Sequence, residues 1–213
     1  NTYATFVFPF IVFASFLQAA GAGDAIETLA LAVAGGTRGG PAKVAVVSSG
    51  IIGSVTGSSA ANAVATGSYT IPLMKRVGYK PHVAAGVEAA ASSGGQMLPP
   101  IMGAGAFLLA TFTDTAYVDI IKIAAIPAIL YFLGVGMMVH FIAGREGLKG
   151  LPREKIPELK EAIIQKGYLL LPILVIVALL VARYSPQRAA FAAIISILLL
   201  SYVKKETRMT PRK

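Results

Sequence analysis

The residues most able to do chemistry fall in two small polar islands within apolar sequence. The first is Gly57-Ser58-Ser59-Ala60-Ala61-Asn62, and the second is Ser92-Ser93-Gly94-Gly95-Gln96-Met97-Leu98-Pro99-Pro100. Ser58 and Ser59 offer hydroxyl oxygens, and Asn62 offers a carbonyl oxygen with an amide. Such hard, uncharged donors suit Na⁺ without any carboxylate. Gln96 has the polarity to contact a substrate or to bridge helices. Glu88 lies about one turn before the second island, inside an apolar run. An ionisable residue at membrane depth is a functional candidate by default, although water reaching it from the near membrane face would explain it equally well. Covalent chemistry has no support: there is no G-x-S-x-G elbow, no phosphate-binding G-x-x-x-x-G-K-[ST], and no lysine–serine arrangement of the amidase kind beside GSSAAN. His82 and His140 have no second ligand at metal spacing, and Asp114 and Asp119 read as solvated loop residues.

The elements that must carry these islands are membrane helices. The 213 residues are 55% hydrophobic and 14% charged, with mean hydropathy +0.70, and apolar runs recur along the whole chain. With no cysteine, disulfide, zinc and thiol chemistry are excluded. The net charge of +9 would suit nucleic acid, but the basic residues sit in loops between apolar runs. They read as topology determinants, so no nucleic-acid partner is expected.

The first island is the tip of a hairpin. Its apolar arms, Val44–Gly57 and Ala61–Met74, have 14 residues each, which rise only roughly 21 Å as helix against ~30 Å of hydrocarbon. Basic residues flank both outer ends, so residues 42–80 are expected to enter the membrane and turn back. Non-helical backbone at that depth survives only where protein or a polar cavity surrounds it. Half-helix ends would leave free carbonyls on arm one and free N–H groups on arm two. The second island interrupts residues 81–112 near mid-depth, with Pro99 and Pro100 removing two backbone donors. Two interrupted helices facing one another are the arrangement of a secondary-transporter site. The competing reading, close helix packing by small residues, suffices for scattered Gly and Ser but not for a cluster at a mid-membrane turn.

The remaining sequence divides as follows. Residues 1–23 read as a transmembrane helix rather than a signal peptide, since no Met or charged n-region precedes them. Residues 24–41 read as an amphipathic helix on the membrane surface plus a turn, Asp24 and Glu27 resembling a capping box. Residues 113–143 read as a full span, 144–166 as a charged cytoplasmic loop with a short helix after Pro157, 167–203 as two spans and 204–213 as a basic cytoplasmic tail. With the hairpin mouth, the 144–166 loop and the tail on one face, that face holds 16 of the 19 Lys and Arg residues. Positive charge marks the cytoplasmic side, so the hairpin enters from there. The fold class is all-α integral membrane protein, a multi-span helical bundle with a re-entrant hairpin and a discontinuous helix.

GGTRGGPAKVAVVSSGIIGSVTGSSAANAVATGSYTIPLMKRVGYKP and EAAASSGGQMLPPIMGAGAF resemble the large membrane subunit of tripartite ATP-independent periplasmic (TRAP) transporters. REGLKGLPRE and the KKETRMTPRK tail resemble the branch in which the two membrane subunits are fused and served by a TAXI-type binding protein. The resemblance implies half of an inverted-repeat, elevator-type permease in a bacterial or archaeal inner membrane. Its partners would be an extracytoplasmic solute-binding protein and the rest of the fused chain, and its coupling ion Na⁺. It would import organic acids and perform no enzymatic step. On that pattern Gly57, Ser58, Ser59 and Asn62 map to the hairpin tip. Ser92, Ser93, Gly94, Gly95, Gln96, Pro99 and Pro100 map to the adjoining unwound helix, with Ser92 and Gly94 joining Ser58, Ser59 and Asn62 as Na⁺ candidates. The alternatives are a binding-protein-independent Na⁺/dicarboxylate or citrate-type carrier and a structural membrane subunit that docks partners.

Overall fold

A computed structural model describes residues 7–202, and these are helical with no strand among them. The start of the first expected span and the basic tail at 204–213 lie outside the described residues. The helices are α1 (Phe8–Ala19), α2 (Ala22–Ala34), α3 (Gly40–Thr56), α4 (Ser59–Arg76), α5 (Pro81–Gly95), α6 (Ala104–Phe112), α7 (Tyr117–Arg145), α8 (Leu159–Lys166), α9 (Leu171–Val181) and α10 (Pro186–Ser201).

α3 and α4 form the hairpin, and both arms are longer than expected. α3 has 17 residues and α4 has 18, rising roughly 25 and 27 Å and so still short of a full crossing. Gly39, at φ +67, turns the chain into α3, and Pro41 fits the first turn, where no N–H is needed. α4 continues through Pro72 to end on Lys75 and Arg76, cations suited to a helix C-terminus. The tip correspondingly shrinks from six residues to two. Gly57 takes a left-handed φ of +64, and Ser58 caps α4 by accepting the N–H of Ala61 at 3.4 Å. A Cβ on Gly57 would come within 2.5 Å of the Met102 carbonyl oxygen, so space as well as φ requires glycine there.

α1 and α2 together have the length and apolarity of one crossing but meet at 67°. The break at Gly21 adjoins the end of α3, where Ala22 and Ile26 share a small cavity with Val55 and Thr56. At its other end α2 passes Gly35, whose carbonyl accepts from Leu151 N–H at 2.9 Å. α2 therefore runs antiparallel beside α3. Of the apolar stripe that suggested a surface-lying helix, Ile26 and Ala30 are buried, Ile26 beside Ile52 and Val55 of the hairpin, while Val33 stays exposed. The capping box does not form either: Gly21 occupies the cap position and Asp24 lies within the first turn.

α7, 29 residues, and the Arg153–Val181 run are each long and apolar enough to cross a membrane. Much of α7 presents Ile126, Leu130, Leu133, Met138 and Phe141 outward, a surface suited to lipid. At one end of the molecule the hairpin mouth meets the 144–166 loop, with Leu151 bonded to Gly35 and Lys80 paired to Glu146 at 3.9 Å. At the other end the 113–117 turn meets Pro186 across one cavity. Two apolar clusters hold the bundle. One joins α1, α6, α9, α10 and the start of α7, and the other joins α3, α4, α5 and the end of α7.

Candidate functional site

The hairpin and the interrupted helix meet through glycine. A Cβ built on Gly95 would lie 2.7 Å from the Cα of Gly53, and one on Gly53 would lie 2.9 Å from the Cα of Gly95. α3 and α5 therefore touch backbone to backbone. Beyond α5 the chain leaves helical geometry through residues 96–103, with a cis Pro99-Pro100 bond, before α6 begins. This segment docks on the end of α3. Ile101 and Met102 N–H both donate to the Ser54 carbonyl, at 3.2 and 3.0 Å, and Gly103 N–H closes the loop on the Gln96 carbonyl at 2.8 Å. The carbonyl of Gly53 accepts Gly57 N–H at 3.0 Å. One of the carbonyls expected to be free at the end of arm one, that of Ser54, is thus already engaged, and the Gly53 bond is the last of the helix itself. The Tyr117 hydroxyl donates to the Ile101 carbonyl and pins the loop from the other side.

Asn62 is fully buried, one turn into α4, and its side chain reaches across to both partners of that contact. Its amide nitrogen donates to the Ser49 carbonyl at 2.8 Å and to Ser92 Oγ at 3.1 Å. With both N–H groups directed to acceptors, the network assigns the remaining atom as Oδ1. That oxygen is buried and has no hydrogen-bond partner. A buried unpaired carbonyl oxygen costs on the order of 1–3 kcal/mol, so one in a helix-packed interior marks a place built for something else to donate or coordinate.

Below Asn62 sits a carboxylate. Glu88 is 1% exposed and lies against three helices. Ser92 Oγ is 2.9 Å and Ser49 Oγ 2.8 Å from Oε1, while Thr66 Oγ1 is 2.5 Å from Oε1 and Thr70 Oγ1 2.5 Å from Oε2. Thr66 Oγ1 also reaches the Asn62 main-chain carbonyl at 2.7 Å, and Ser49 Oγ reaches Thr66 Oγ1 at 3.0 Å. Water access from the membrane face does not account for Glu88, since hydroxyls of α3, α4 and α5 enclose it. Thr66 also lines a half-polar cavity of about 520 Å³ between the α1–α2 break and α4, with Gln18, Asp24, Glu27, Ser68 and Tyr69.

The other expected residues separate by position. Ser58 serves as a helix cap, and Ser59 is half-buried beside it. Among the described residues no hydrogen bond joins either side chain to the Asn62 network. Ser93 faces outward from α5, and its carbonyl accepts Gln96 N–H at 3.3 Å. Gly94 is a packing glycine: its carbonyl accepts Met97 N–H at 2.9 Å, and a Cβ there would strike the Tyr131 ring at 2.3 Å. Gln96 and Pro99 are half-buried and Pro100 is buried in the loop that caps α3. Ser49, Thr66 and Thr70 were not among the residues read from the sequence. The available signal was spacing: Asn62, Thr66 and Thr70 recur every four residues on α4, and Glu88 and Ser92 do so on α5.

Comparison with known proteins agrees with this architecture. The family model for the "Tripartite ATP-independent periplasmic transporter, DctM component" matches residues 1–213. The C4-dicarboxylate TRAP transporter large permease protein DctM of Pseudomonas aeruginosa is 27% identical over 98% of this chain and 49% of its own length. The sialic acid TRAP transporter large permease protein SiaM of Vibrio cholerae is 26% identical over 97% of this chain and 48% of its own. The ectoine/5-hydroxyectoine TRAP transporter large permease protein UehC of Ruegeria pomeroyi is 27% identical over 90% and 45%. The chain spans about half the length of these relatives. It belongs to the DctM component family of the tripartite ATP-independent periplasmic transporters, which are membrane permeases rather than enzymes.

Proposed function

We propose that this chain forms one half of a sodium-coupled TRAP permease, and that the hairpin and the α5 break build one of its sodium sites. The observation that carries this reading is the buried, partnerless Oδ1 of Asn62 at the junction of two interrupted helices. A lone neutral oxygen there suits a hard monovalent cation better than an anion, which would need donors. Na⁺ bound at this oxygen would link the hairpin to α5 and tie the ion gradient to the movement of that unit. Asn62 holds the ligand oxygen, Ser49 and Ser92 aim it, and Gly53 and Gly95 bring the two backbones close enough for one side chain to reach both. Ser58 and Ser59 supply the start of α4 and leave the ion to Asn62. Residues 96–103 supply the polar main chain on the facing wall.

In this reading the complete permease is the fused form, resides in the inner membrane and carries its substrate by an elevator movement. An extracytoplasmic binding protein of the TAXI type delivers that substrate. The substrate class is an organic acid, the class named for two of the relatives, the C4-dicarboxylate and sialic acid permeases. The opposing wall of the substrate site belongs to the rest of the chain.

The test is uptake into proteoliposomes by the complete permease with its binding protein, with and without an inward Na⁺ gradient. The expected result is uptake that requires both, and Asn62→Ala raising the sodium half-saturation about tenfold, the equivalent of roughly 1.4 kcal/mol. Sodium-driven uptake without any binding protein would favour a dicarboxylate or citrate-type carrier. Uptake indifferent to sodium would remove the ion from the site.

A further inference from the structure

We infer that Glu88 is the positioning residue of this site, acting through the hydroxyls of Ser92, Ser49, Thr66 and Thr70 to hold Asn62 and its partners in place. This rests on the sodium reading of Asn62 given above. The argument begins with the direction of hydrogen atoms. An amide side chain can be turned end for end at almost no steric cost, and the surrounding donors and acceptors decide which way it lies. Asn62 Nδ2 donates to Ser92 Oγ. A serine hydroxyl has one hydrogen and can donate or accept, so Ser92 alone would satisfy either end of the amide. The Ser49 main-chain carbonyl, which can only accept and lies 2.8 Å from Nδ2, settles the direction of the amide, and Glu88 settles that of the Ser92 hydroxyl. With Oε1 at 2.9 Å, the Ser92 hydrogen is drawn to the carboxyl oxygen and its lone pairs turn to Asn62. Ser92 is thereby held as a second acceptor for the amide nitrogen that Ser49 already fixes, and Oδ1 is left unpaired at the junction.

Ser49 acts on the same amide from the other side. Its main-chain carbonyl accepts from Asn62 Nδ2 at 2.8 Å, while its hydroxyl is held 2.8 Å from Glu88 Oε1. Thr66 and Thr70 complete the cage, so every hydroxyl within reach has Glu88 as an acceptor. The hydroxyls come from α3, α4 and α5, and one carboxyl group therefore registers all three helices on Asn62. What the arrangement requires is acceptor oxygen at this point. The side-chain oxygen of a glutamine would still receive Ser92 and Ser49, and its amide would meet Thr70 Oγ1 as a donor.

Sodium titration of uptake by the complete permease, with its binding protein in proteoliposomes, tests this. Glu88→Ala is expected to raise the sodium half-saturation about tenfold with the rate at saturating sodium less affected. Glu88→Gln is expected to return it to within about threefold of the unmodified protein. The double variant E88A/N62A is expected to match N62A within about twofold, because Glu88 works through Asn62. Additive losses in that cycle, or a Glu88→Gln variant as impaired as Glu88→Ala, would overturn the assignment, the second by making Glu88 a direct countercharge. Should Glu88→Ala fail to reach the membrane, Ser92→Ala carries the test: a raised half-saturation supports the inference and an unchanged one refutes it. Uptake by the unmodified permease that ignores sodium overturns both this inference and the sodium reading. Sodium-driven uptake whose half-saturation Glu88→Ala leaves unmoved overturns only this one.

Discussion

The two packed regions of this bundle share apolar clusters but differ in what else holds their helices together. Around α1, α9 and α10 the contact is made of large apolar side chains: Phe10, Phe13, Leu17, Ile176, Leu180 and Ile197, seated against Ala189, Ala190 and Ala193. Phe107 stacks on Tyr117 at 4.4 Å and meets Phe10 at 5.2 Å. Between the hairpin and α5 an apolar cluster that includes Ala45, Met74, Ala84 and Ala91 adjoins a second contact made of Gly53, Gly95, Ser49, Asn62, Thr66, Thr70, Ser92 and Glu88, most of them fully buried. In lipid, apolar side chains gain little by leaving one hydrocarbon for another, so the first region depends on van der Waals fit. The second depends on backbones coming close enough for polar side chains to bond across them. The first tolerates exchange of shape for shape, whereas the second allows no added atom.

That contrast can be broken most severely, as read by uptake, at Gly95. Gly95→Val would place side-chain atoms inside the Gly53 backbone, which cannot give way as a flexible side chain does. We expect loss of measurable uptake together with a destabilisation of about 1–3 kcal/mol, read by thermal unfolding of the purified permease. Ile197→Ala, at a position fully buried in the apolar cluster, should cost about 2–5 kcal/mol of stability. The folded protein that remains should keep its sodium half-saturation, and a large shift in that value would show that the two regions are not separable. Ser58→Ala removes the α4 cap and should cost ~1 kcal/mol. Its sodium half-saturation should move less than that of Asn62→Ala, and the reverse order would return the ion to the hydroxyls of the tip. The smallest effect is expected at Leu130, 63% exposed on α7, where Leu130→Met should leave both stability and uptake within error of the original.

Much of the architecture was legible because the bilayer imposes simple lengths. Two apolar arms too short to cross, with basic residues at both outer ends, leave a hairpin as the arrangement that satisfies every backbone group. The interruption before Pro99 and Pro100 follows from the absence of two backbone donors. The placement of α2 was not legible. Ile26, Leu29, Ala30 and Val33 have the spacing of an apolar stripe, but a stripe says only that something apolar lies opposite. Lipid and α3 are equivalent to a hydropathy scale. The extent of the tip was misjudged because Gly, Ser and Ala read as turn residues, whereas one left-handed glycine and one cap suffice to reverse the chain.

The candidate site divides in the same way. Asn62 and Ser92 stood out as polar residues beside breaks, and the fold joins them by a hydrogen bond. Ser49, Thr66 and Thr70 did not, since a hydroxyl on a membrane helix can bond to its own preceding turn and needs no partner. Gly94 and Gly95 were indistinguishable as neighbours in sequence. One turns to Tyr131 of α7 and the other to Gly53 of α3, because successive residues on a helix point about 100° apart.

By itself, then, the sequence determined that the chain is a membrane protein, that residues 42–80 fold as a helical hairpin, and that the helix after it breaks before Pro99 and Pro100. These follow from composition, span length and proline chemistry, which act locally or along one dimension. Only the tertiary structure decided that Asn62 Oδ1 is left without a partner, and that Glu88 gathers hydroxyls from α3, α4 and α5. Hydrogen-bond satisfaction is a property of atoms brought together from positions as far apart as Ser49 and Ser92, and no local pattern encodes which of them will find a partner.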